Sequence, residues 1–391
     1  MVEKNLEALD ESVRLRMISD VPIGAFLSGG IDSSAVVALM ARHCDRPVKT
    51  FSIGFEEERF NELPYARMIA KRFHTDHTEF IVKPDAMDIL PFLVRQYEEP
   101  YADSSALPTY FLSKMTREHV TVALNGDGGD ENFAGYYSSQ ILKATLMQES
   151  LRSIHRLFTV PISRFLAQHS RSNFLNKIFK FSLMLSEPFP RRFGRLMSHF
   201  DSSLKSHLET TFFKNQGAHG DTLELFSRLS EESGVSDPLD SILFTDINSY
   251  LPGCLMPKVD IATMSVGLEG RSPLLDHRFL ELTATLPSSL KLKGLTQKKY
   301  IFKEALRDIL PPDILFRKKK GFGIPLDSWF RKELKSFTFD VLLCDRAKRR
   351  NLFVPKEVRT LLTDHVEGIR NNGALLWDLL LLELWFREYF D

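Results

Sequence analysis

Two adjacent glycines lie among hydroxyl and carboxyl side chains in the string Ser28-Gly29-Gly30-Ile31-Asp32-Ser33-Ser34. Glycines let a phosphate approach the backbone closely, and the N–H groups of a helix that follows would point at it. The hydroxyls add hydrogen-bond donors, while Asp32 beside a polyphosphate implies that Mg²⁺ lies between them. A glycine turn with a Ser/Asp helix cap is the alternative. The complete string after a strand favours a phosphate-binding loop.

A second loop rich in glycine and acidic residues follows an apolar run that ends at Leu124. Its sequence is Asn125-Gly126-Asp127-Gly128-Gly129-Asp130-Glu131. Asp127, Asp130 or Glu131 could supply a second carboxylate for the same Mg²⁺. A flexible Gly/Asp turn and a calcium loop are the alternatives, but the spacing and terminal Glu of an EF-hand are missing, which argues against calcium.

Two later segments combine charged with apolar residues. After Lys258-Val259-Asp260 comes LEGRSPLLDH at 268–277, and RKKKGFGIP occupies 317–325. Taken alone, the charges at 258–277 are better explained as a buried ion pair that holds two helices together. A basic run is usually a solvated face, but here a Gly-Phe-Gly turn follows it and could anchor one lysine over the phosphates.

The pattern of apolar residues predicts the elements that position these loops. Helical spacing from Leu6 to Met17 predicts an amphipathic helix at the start. Strands and helices then alternate, which predicts a doubly wound parallel α/β sheet with ligands at the carboxyl ends of its strands. The strands are expected at 23–27, 48–53, 78–82 and 120–124, and the helices at 33–43, 63–73, 86–97 and 107–119. From about residue 140 the strand signals nearly vanish, which predicts a large helical second half.

Composition excludes several classes of partner. The 391 residues include 51 Lys and Arg and 51 Asp and Glu, so the net charge gives no reason to expect nucleic acid or a membrane. Cys44, Cys254 and Cys344 are far apart, which argues against disulfides and structural zinc. The charged N-terminus lacks a signal core, and the apolar stretch 374–386 is too short to span a bilayer. A cytoplasmic location is expected.

The glycine string lacks the Gly-Lys-Ser/Thr of a Walker A loop, which disfavours γ-phosphoryl transfer. It resembles instead the PP-loop of the ATP pyrophosphatase superfamily, whose members cleave ATP between the α and β phosphates. The four segments, in this order, resemble the synthetase domain of glutamine-dependent asparagine synthetases over nearly the whole chain. The resemblance implies a PP-loop fold of the adenine nucleotide alpha hydrolase-like type, with ATP and Mg²⁺ as cofactors.

The resemblance also implies a role for each matching position. The residues expected to hold pyrophosphate are Ser28, Gly29, Gly30, Asp32, Ser33 and Ser34. Those expected around the adenosine are Leu27, Ile53, Asn125 and Gly126. Asp32 and Asp130 would hold Mg²⁺, and Lys319 would contact the phosphates during adenylation. Asp127, often Glu in this family, would lie near the acyl-adenylate, while Glu269 and Arg271 would lie close to the acceptor.

The implied reaction is the amidation of aspartate by ammonia through β-aspartyl-AMP. An asparagine-synthetase-like enzyme acting on another carboxylate, such as a peptide, an antibiotic precursor or a polysaccharide sugar, is the alternative. A non-catalytic ATP-binding subunit is disfavoured by the presence of both metal carboxylates and Lys319. tRNA thiolation by a PP-loop enzyme is disfavoured because no suitably arranged cysteines occur.

The family's amino-terminal glutaminase nucleophile, a cysteine after the initiator Met, is not matched, because position 2 is Val. Ammonia could therefore come from a glutaminase domain or subunit, and a homodimer is one option. We expect four regions: a linker helix from a missing glutaminase domain at 1–20, a nucleotide-binding core at 21–140, a helical insertion of unknown role at 141–245, and a helical part that completes the active site at 246–391.

Overall fold

The computed structural model describes residues 1–55, 57, 61–82, 88–168, 173–216, 221–318 and 323–391. The chain folds into two compact units. Unit 1 comprises Met1–Tyr97, Asp103–Gln140 and Asp246–Ile324, and unit 2 comprises Glu98–Ala102, Ile141–Thr245 and Pro325–Asp391. The roles expected for 1–20, 21–140, 141–245 and 246–391 stay predictions.

Unit 1 is built on a parallel sheet of five strands. They are β1 (Ile23–Phe26), β2 (Lys49–Phe55), β3 (Asp76–Val82), β4 (Val122–Leu124) and β5 (Glu269–Arg271). Their order in the sheet is β3-β2-β1-β4-β5. Successive strands move outward in one direction from β1 to β3 and in the other from β4 to β5. The order in which strands are added therefore reverses between β1 and β4. Doubly wound folds bind ligands at the carboxyl ends of the strands at such a point. The predicted α/β class is confirmed.

The helices begin with α1 (Val2–Arg16), α2 (Ile31–His43), α3 (Leu63–Arg72), α4 (Leu90–Tyr97), α5 (Ala106–Arg117), α6 (Gly129–Asn132) and α7 (Tyr137–Thr145). The helix α2 is almost wholly buried from Ser33 to Met40, because it packs between the sheet and α1. Leu9 and Val13 of α1 belong to the same hydrophobic cluster as Phe279 and Phe302. The amphipathic spacing predicted from Leu6 to Met17 thus buries one face of α1 in the core.

The chain beyond α7 is mostly helical, as the sequence predicts. Its helices are α8 (Arg152–Ile154), α9 (Val160–Gln168), α10 (Asn173–Leu185), α11 (Phe189–Met197), α12 (Ser202–Leu208), α13 (Thr211–Asn215), α14 (Glu224–Glu232), α15 (Pro238–Asn248), α16 (Met256–Met264), α17 (His277–Ala284), α18 (Ser288–Lys291), α19 (Tyr300–Ala305), α20 (Pro312–Leu315), α21 (Leu326–Trp329), α22 (Lys335–Leu342), α23 (Asp345–Arg349), α24 (Pro355–Val366) and α25 (Gly373–Tyr389). Short 3₁₀ or π segments lie at Leu146–Leu151, His155–Thr159, Leu251–Leu255 and Pro273–Leu275, and a small hairpin pairs β6 (Leu292–Lys293) with β7 (Gln297–Lys298). Among the described residues, no helix is both long and apolar enough to cross a membrane.

The fifth strand is the element that the sequence pattern does not predict. Glu269, Gly270 and Arg271 pair in parallel with Val122, Ala123 and Leu124. A three-residue polar strand at a sheet edge lacks the β-branched residues and the alternation that mark a strand. Its pairing is instead fixed by neighbours on either side, since Leu268 is fully buried and the N–H of Asn125 donates to the carbonyl of Arg271. The ion pair expected between two helices is formed by Asp276, at the start of α17, with Arg16 of α1 at 2.8 Å. Within β5, Arg271 pairs instead with Glu269 of the same strand.

Candidate active site

The first loop is shaped by a glycine that no other residue could replace without strain. Gly29 has φ +69°, a backbone conformation that favours glycine. A Cβ at this position would lie 2.5 Å from the carbonyl carbon of Tyr65, at the start of α3. The absence of a side chain at Gly29 therefore lets α3 pack directly against the loop.

The serines of this loop hold it in shape through their own hydroxyls. The N–H of Ser28 donates to Oγ of Ser33 at 3.2 Å, and the two serine oxygens lie 3.1 Å apart. The N–H of Gly30 donates to Oγ of Ser28, also at 3.2 Å. Ser34 differs, because its side chain is fully buried and its hydroxyl has no hydrogen-bond partner among the described residues. The loop is thus organised before a ligand binds, with donors available to an anion.

The second loop lies against the first at the point where the strand order reverses. A Cβ on Gly126 would lie 2.6 Å from the backbone nitrogen of Ser33, at the start of α2. Asn125 is 3% exposed, and its side-chain oxygen accepts from the N–H of Asp127 at 3.1 Å and from Oγ of Ser272 at 2.7 Å. The carboxyl ends of β1 and β4 are therefore in contact, as a parallel sheet predicts.

Asp32 and Asp130, the predicted metal ligands, meet at the ammonium group of Lys299. Its Nζ lies 2.6 Å from each carboxylate oxygen of Asp32 and 2.8 Å from Oδ1 of Asp130. The side chain of Lys299 is only 5% exposed. Burial by itself would lower the pKa of Lys299, but the two carboxylates outweigh burial and hold that pKa above its usual value. One buried cation thus joins two carboxylates from separate loops.

Sequence reasoning missed Lys299 because nothing local marks it. It lies in the run Gln297-Lys298-Lys299-Tyr300, which resembles an ordinary solvated basic turn. Its backbone adopts φ 53°, an uncommon conformation for a residue with a side chain. Its N–H donates to the carbonyl of Phe133, three residues after Asp130. Residues far apart in the chain therefore fix the lysine between the carboxylates.

Glu131 is a second buried acid beside this centre. It is 2% exposed and accepts a hydrogen bond from the phenol of Tyr136. Burial, with the neighbouring charge of Asp130, raises the pKa of Glu131 to about 7. Burial likewise raises the pKa of the Tyr136 phenol, so this group stays protonated and keeps donating. Glu131 would therefore change charge near neutral pH.

The basic segment is anchored next to the first loop. The guanidinium of Arg317 pairs with Glu62 and lies 4.3 Å from the centre of the Tyr65 ring. The backbone of Tyr65 is the group that approaches Gly29. Arg317 thus fixes the chain beside the loop two residues before Lys319, which itself lies outside the described residues.

The remaining predicted adenosine residues surround the ends of β1 and β2. Leu27 is 1% exposed and Ile53 is 8% exposed. The hydroxyl of Ser52 donates to the carbonyl of Leu27, which ties the two strand ends together. Asp127 is partly buried in the second loop. These positions therefore lie at the carboxyl edge of the sheet beside the two loops.

Glu269 and Arg271 have a different set of contacts. Nε of Arg271 donates to Glu269 at 2.6 Å, and one terminal nitrogen donates to the carbonyls of Arg16 and Ile18 at 2.8 and 2.7 Å. The Glu269 side chain is 55% exposed. In the described contacts, both side chains face the end of α1 and each other instead of Asp32 or Asp130. The structure does not bring this pair to the charged centre, and their predicted role near the acceptor stays a prediction.

The two carboxylates fit a Mg²⁺ ion. No group of three or more His, Cys, Asp or Glu side chains in the described part of the chain is arranged to hold a metal. Mg²⁺ is usually held by one or two carboxylates and takes its other ligands from phosphates and water. Asp32 and Asp130 converge on one point, and a Cβ on Gly129 would lie 2.2 Å from Oδ1 of Asp32. Carboxylate oxygens from both loops thus lie within reach of a single cation.

The chain resembles known proteins over nearly its whole length. Residues 4–387 match the family model of asparagine synthase. Over 387 residues it is 30% identical to the glutamine-hydrolysing asparagine synthetase 1 of Bacillus subtilis, covering 98% of this chain and 59% of that protein. A putative glutamine-hydrolysing asparagine synthetase of Mycobacterium tuberculosis is 32% identical over 379 residues, covering 96% of this chain and 56% of the relative. Amidase chyE of Penicillium rubens is 27% identical over 355 residues, covering 82% and 52%.

The chain spans little more than half the length of these curated relatives. The family model nevertheless covers both predicted loops, the segment at 268–277 and the basic run. The resemblance inferred from those four segments is therefore confirmed, and the protein belongs to the asparagine synthase family.

Proposed function

We propose that this chain activates a carboxylate with ATP, releases pyrophosphate, and transfers the resulting acyl group to ammonia. The observation that carries this proposal is the meeting of Asp32 and Asp130 beside an organised glycine loop, at the carboxyl ends of β1 and β4, where the strand order reverses. Carboxylates at a phosphate-binding loop suit a Mg²⁺-bound nucleotide. Membership of the family supports carbon–nitrogen bond formation.

The loops suggest how the nucleotide is held. The N–H groups at the start of α2 and the hydroxyls of Ser28 and Ser33 would bind the pyrophosphate part. Gly30, where an added Cβ would meet only Oγ of Ser28 at 3.2 Å, would let it approach the backbone. The residues proposed around the adenosine are Leu27, Ile53, Asn125 and Gly126. Mg²⁺ held by Asp32 and Asp130 would neutralise phosphate charge. Ser34 would contribute only if its buried hydroxyl reached the phosphates.

The chemistry requires two anions to approach each other. A carboxylate oxygen of the acceptor attacks the α-phosphorus of ATP, and the bond to pyrophosphate breaks to give an acyl-AMP. Ammonia then attacks the acyl carbon, AMP leaves, and one proton is released. Cationic groups lower the barrier because they are already aimed at the developing charge. We assign this task to Lys319, whose segment Arg317 fixes beside the loop, and we place Asp127 next to the acyl group.

Aspartate is the acceptor that the relatives' names favour, with asparagine as the product. The nitrogen would be ammonia, supplied by a glutaminase domain or subunit where glutamine is the donor. A different carboxylate is the second candidate, because one relative bears the name amidase chyE and because position 127 is Asp instead of the more usual Glu. A shorter side chain at this point would leave room for a different acceptor.

The test combines ATP, Mg²⁺ and ammonia with aspartate and measures AMP, pyrophosphate and asparagine. We expect AMP and asparagine to appear in equal amounts, and labelled pyrophosphate to exchange into ATP only when aspartate is present. Exchange of labelled pyrophosphate into ATP with another carboxylate, in the absence of aspartate, would favour the second candidate. Formation of ADP, or binding of ATP with no exchange for any carboxylate, would contradict it.

A further inference from the structure

Unit 2 exposes a helical surface formed by residues 146–168 and 173–186, which we call the hairpin surface. The helices α9 and α10 pack on each other through Val160, Ala167, Phe179 and Leu183. Their outer faces carry exposed side chains. The surface lies wholly within unit 2 and includes none of the residues proposed for catalysis.

Large apolar side chains project from this surface at helical spacing. Ile162, Phe165 and Leu166 are exposed on α9, opposite the inward-facing Val160 and Ala167. The same spacing occurs at Phe174, Ile178 and Phe181 of α10 and at Ile154 and Phe158 before α9. The four phenylalanines are 49–69% exposed. They alone present on the order of 400 Å² of aromatic surface, a patch that soluble monomers rarely leave uncovered.

The same surface is strongly basic. The described stretches 146–168 and 173–186 contain five Lys and Arg residues and a single acidic residue, Glu149, whereas the whole chain is balanced at 51 of each sign. Glu149 is already paired, at 2.7 Å with Arg192 and at 3.3 Å with Arg152. Arg156, Arg164, Lys177 and Lys180 are exposed among the apolar side chains. Among the described residues, this surface therefore combines an excess of positive charge with exposed apolar side chains.

We propose that the hairpin surface binds an anionic lipid bilayer, with α9 and α10 lying in the plane of the interface. Apolar side chains would enter the boundary of the acyl chains, and lysine and arginine side chains would reach the phosphate headgroups. α9 has 9 residues and α10 has 13, so each can lie on a bilayer but neither can span one.

Charge favours this occupant over a second copy of the chain. A two-fold dimer would place the hairpin surface against itself, and its exposed cations would repel one another. An anionic bilayer complements both features at once, because each Lys or Arg near the surface adds attraction while the aromatic groups lose contact with water. The proposal departs from the expectation of no membrane partner, which rested on the balanced charge of the entire chain.

The test is flotation of the full chain with vesicles of phosphatidylcholine, alone or mixed with phosphatidylglycerol. We expect at least about a tenfold preference for the anionic vesicles, and a loss of binding at about 0.5 M NaCl. The variant Phe165→Ser/Phe174→Ser should bind at least about tenfold more weakly at low salt. Lys177→Glu/Lys180→Glu should lose the preference for anionic vesicles. Phe212→Ser is the matched control, since Phe212 is 49% exposed in unit 2 outside this surface.

All variants alter exposed residues, so circular dichroism and the thermal midpoint should match wild type. Failure of the folded wild-type protein to float with anionic vesicles would overturn the proposal. Equal binding of the patch variants and the Phe212→Ser control would overturn it too. Conversion of a wild-type dimer into a monomer by Phe165→Ser/Phe174→Ser, without any flotation, would assign the surface to a second copy. None of these outcomes depends on the acceptor of the reaction.

Discussion

Two charged regions at the same edge of the sheet differ in what their charged groups contact. At the ends of β1 and β4, Asp32 and Asp130 converge on the buried Lys299 beside a glycine loop. On the neighbouring strand β5, Arg271 donates to the carbonyls of Arg16 and Ile18 and to the exposed Glu269. In the first region charges face charges, with several carboxylates gathered at a ligand crevice. In the second, a cation binds the last turn of a helix.

The difference separates the proposed reaction centre from a pair of residues whose contacts are with the end of α1 and with each other. Hydrogen bonds from Arg271 to main-chain carbonyls stabilise the end of α1, and Glu269 pairs with the charge of the guanidinium. Two carboxylates held together by one lysine keep a net negative charge in a buried place, which a divalent cation can relieve. We therefore expect changes at the first region to affect ligand-linked properties and changes at the second to affect stability.

Replacement of Lys299 by Met should have the largest effect. It leaves the Asp32 and Asp130 carboxylates buried without their shared cation, and removing one partner of a buried ion pair typically costs about 3–5 kcal/mol. Mg²⁺ should recover part of this loss by binding between the carboxylates. Urea denaturation with and without Mg²⁺ measures both effects, and the increase on adding Mg²⁺ should be larger for Lys299→Met than for wild type.

A double variant sharpens the interpretation. Adding Asp130→Asn to Lys299→Met removes the repulsion, so the double variant should be more stable than Lys299→Met alone. Lys71→Met, an exposed lysine in unit 1, controls for the loss of a positive charge. Should Lys299→Met unfold at the same urea concentration as this control, the ion-paired centre would not hold the two loops together.

Replacement of Asp32 by Asn should lower catalysis with little effect on folding. Asp130 still pairs with Lys299 in this variant, so the fold keeps one buried ion pair. The loss of one metal carboxylate should reduce pyrophosphate release about 100- to 1000-fold. Initial rates of pyrophosphate release at saturating ATP, alongside the thermal midpoint, separate the two quantities.

Asp45→Asn is the matched control for Asp32→Asn, because Asp45 is exposed just beyond the opposite end of α2. It should retain wild-type rates. A rate for Asp32→Asn within about threefold of this control would remove Asp32 from the proposed metal site and weaken the contrast with β5.

Replacement of Glu131 by Gln should change how stability depends on pH. The pKa of Glu131 is raised to about 7 in the folded protein, from an ordinary value of 4.5. The folded state therefore binds more protons than the unfolded state between these values. The contribution of Glu131 is fully present below its unfolded pKa and is lost as pH rises through about 7, a total of about 3 kcal/mol.

Free energies of unfolding across this pH range should thus fall more steeply for wild type than for Glu131→Gln. The side-chain oxygen of Gln can still accept the hydrogen bond from Tyr136, so packing changes little. Glu281→Gln, at an exposed position, should keep the wild-type slope. Parallel curves for wild type and Glu131→Gln would show that Glu131 stays ionised and does not extend the charged centre.

Local sequence was sufficient to predict the two loops and the first four strands, but it was insufficient to predict β5 and the position of Lys299. The glycine loop, the loop at 125–131 and the first four strands are continuous segments whose residue types carry their own signals. The strand β5 has no such signal, because three polar residues are paired by a neighbour about 150 positions earlier. Lys299 is likewise separated from Asp32 by 267 positions, and only the folded chain brings them together. Both misses concern contacts distant in sequence.

Replacement of Arg271 by Lys tests the structural side of the contrast and should have the smallest effect. Lysine cannot reproduce the fork that reaches two carbonyls and Glu269 together. Since the Arg271 side chain is 20% exposed, we expect a loss of about 2 kcal/mol in unfolding free energy, while pyrophosphate release per folded molecule stays within about threefold of wild type. Arg278→Lys, exposed in α17, is the matched control. A hundredfold lower rate at unchanged stability would instead support the predicted role near the acceptor, and β5 would then belong to the reaction centre together with β1 and β4.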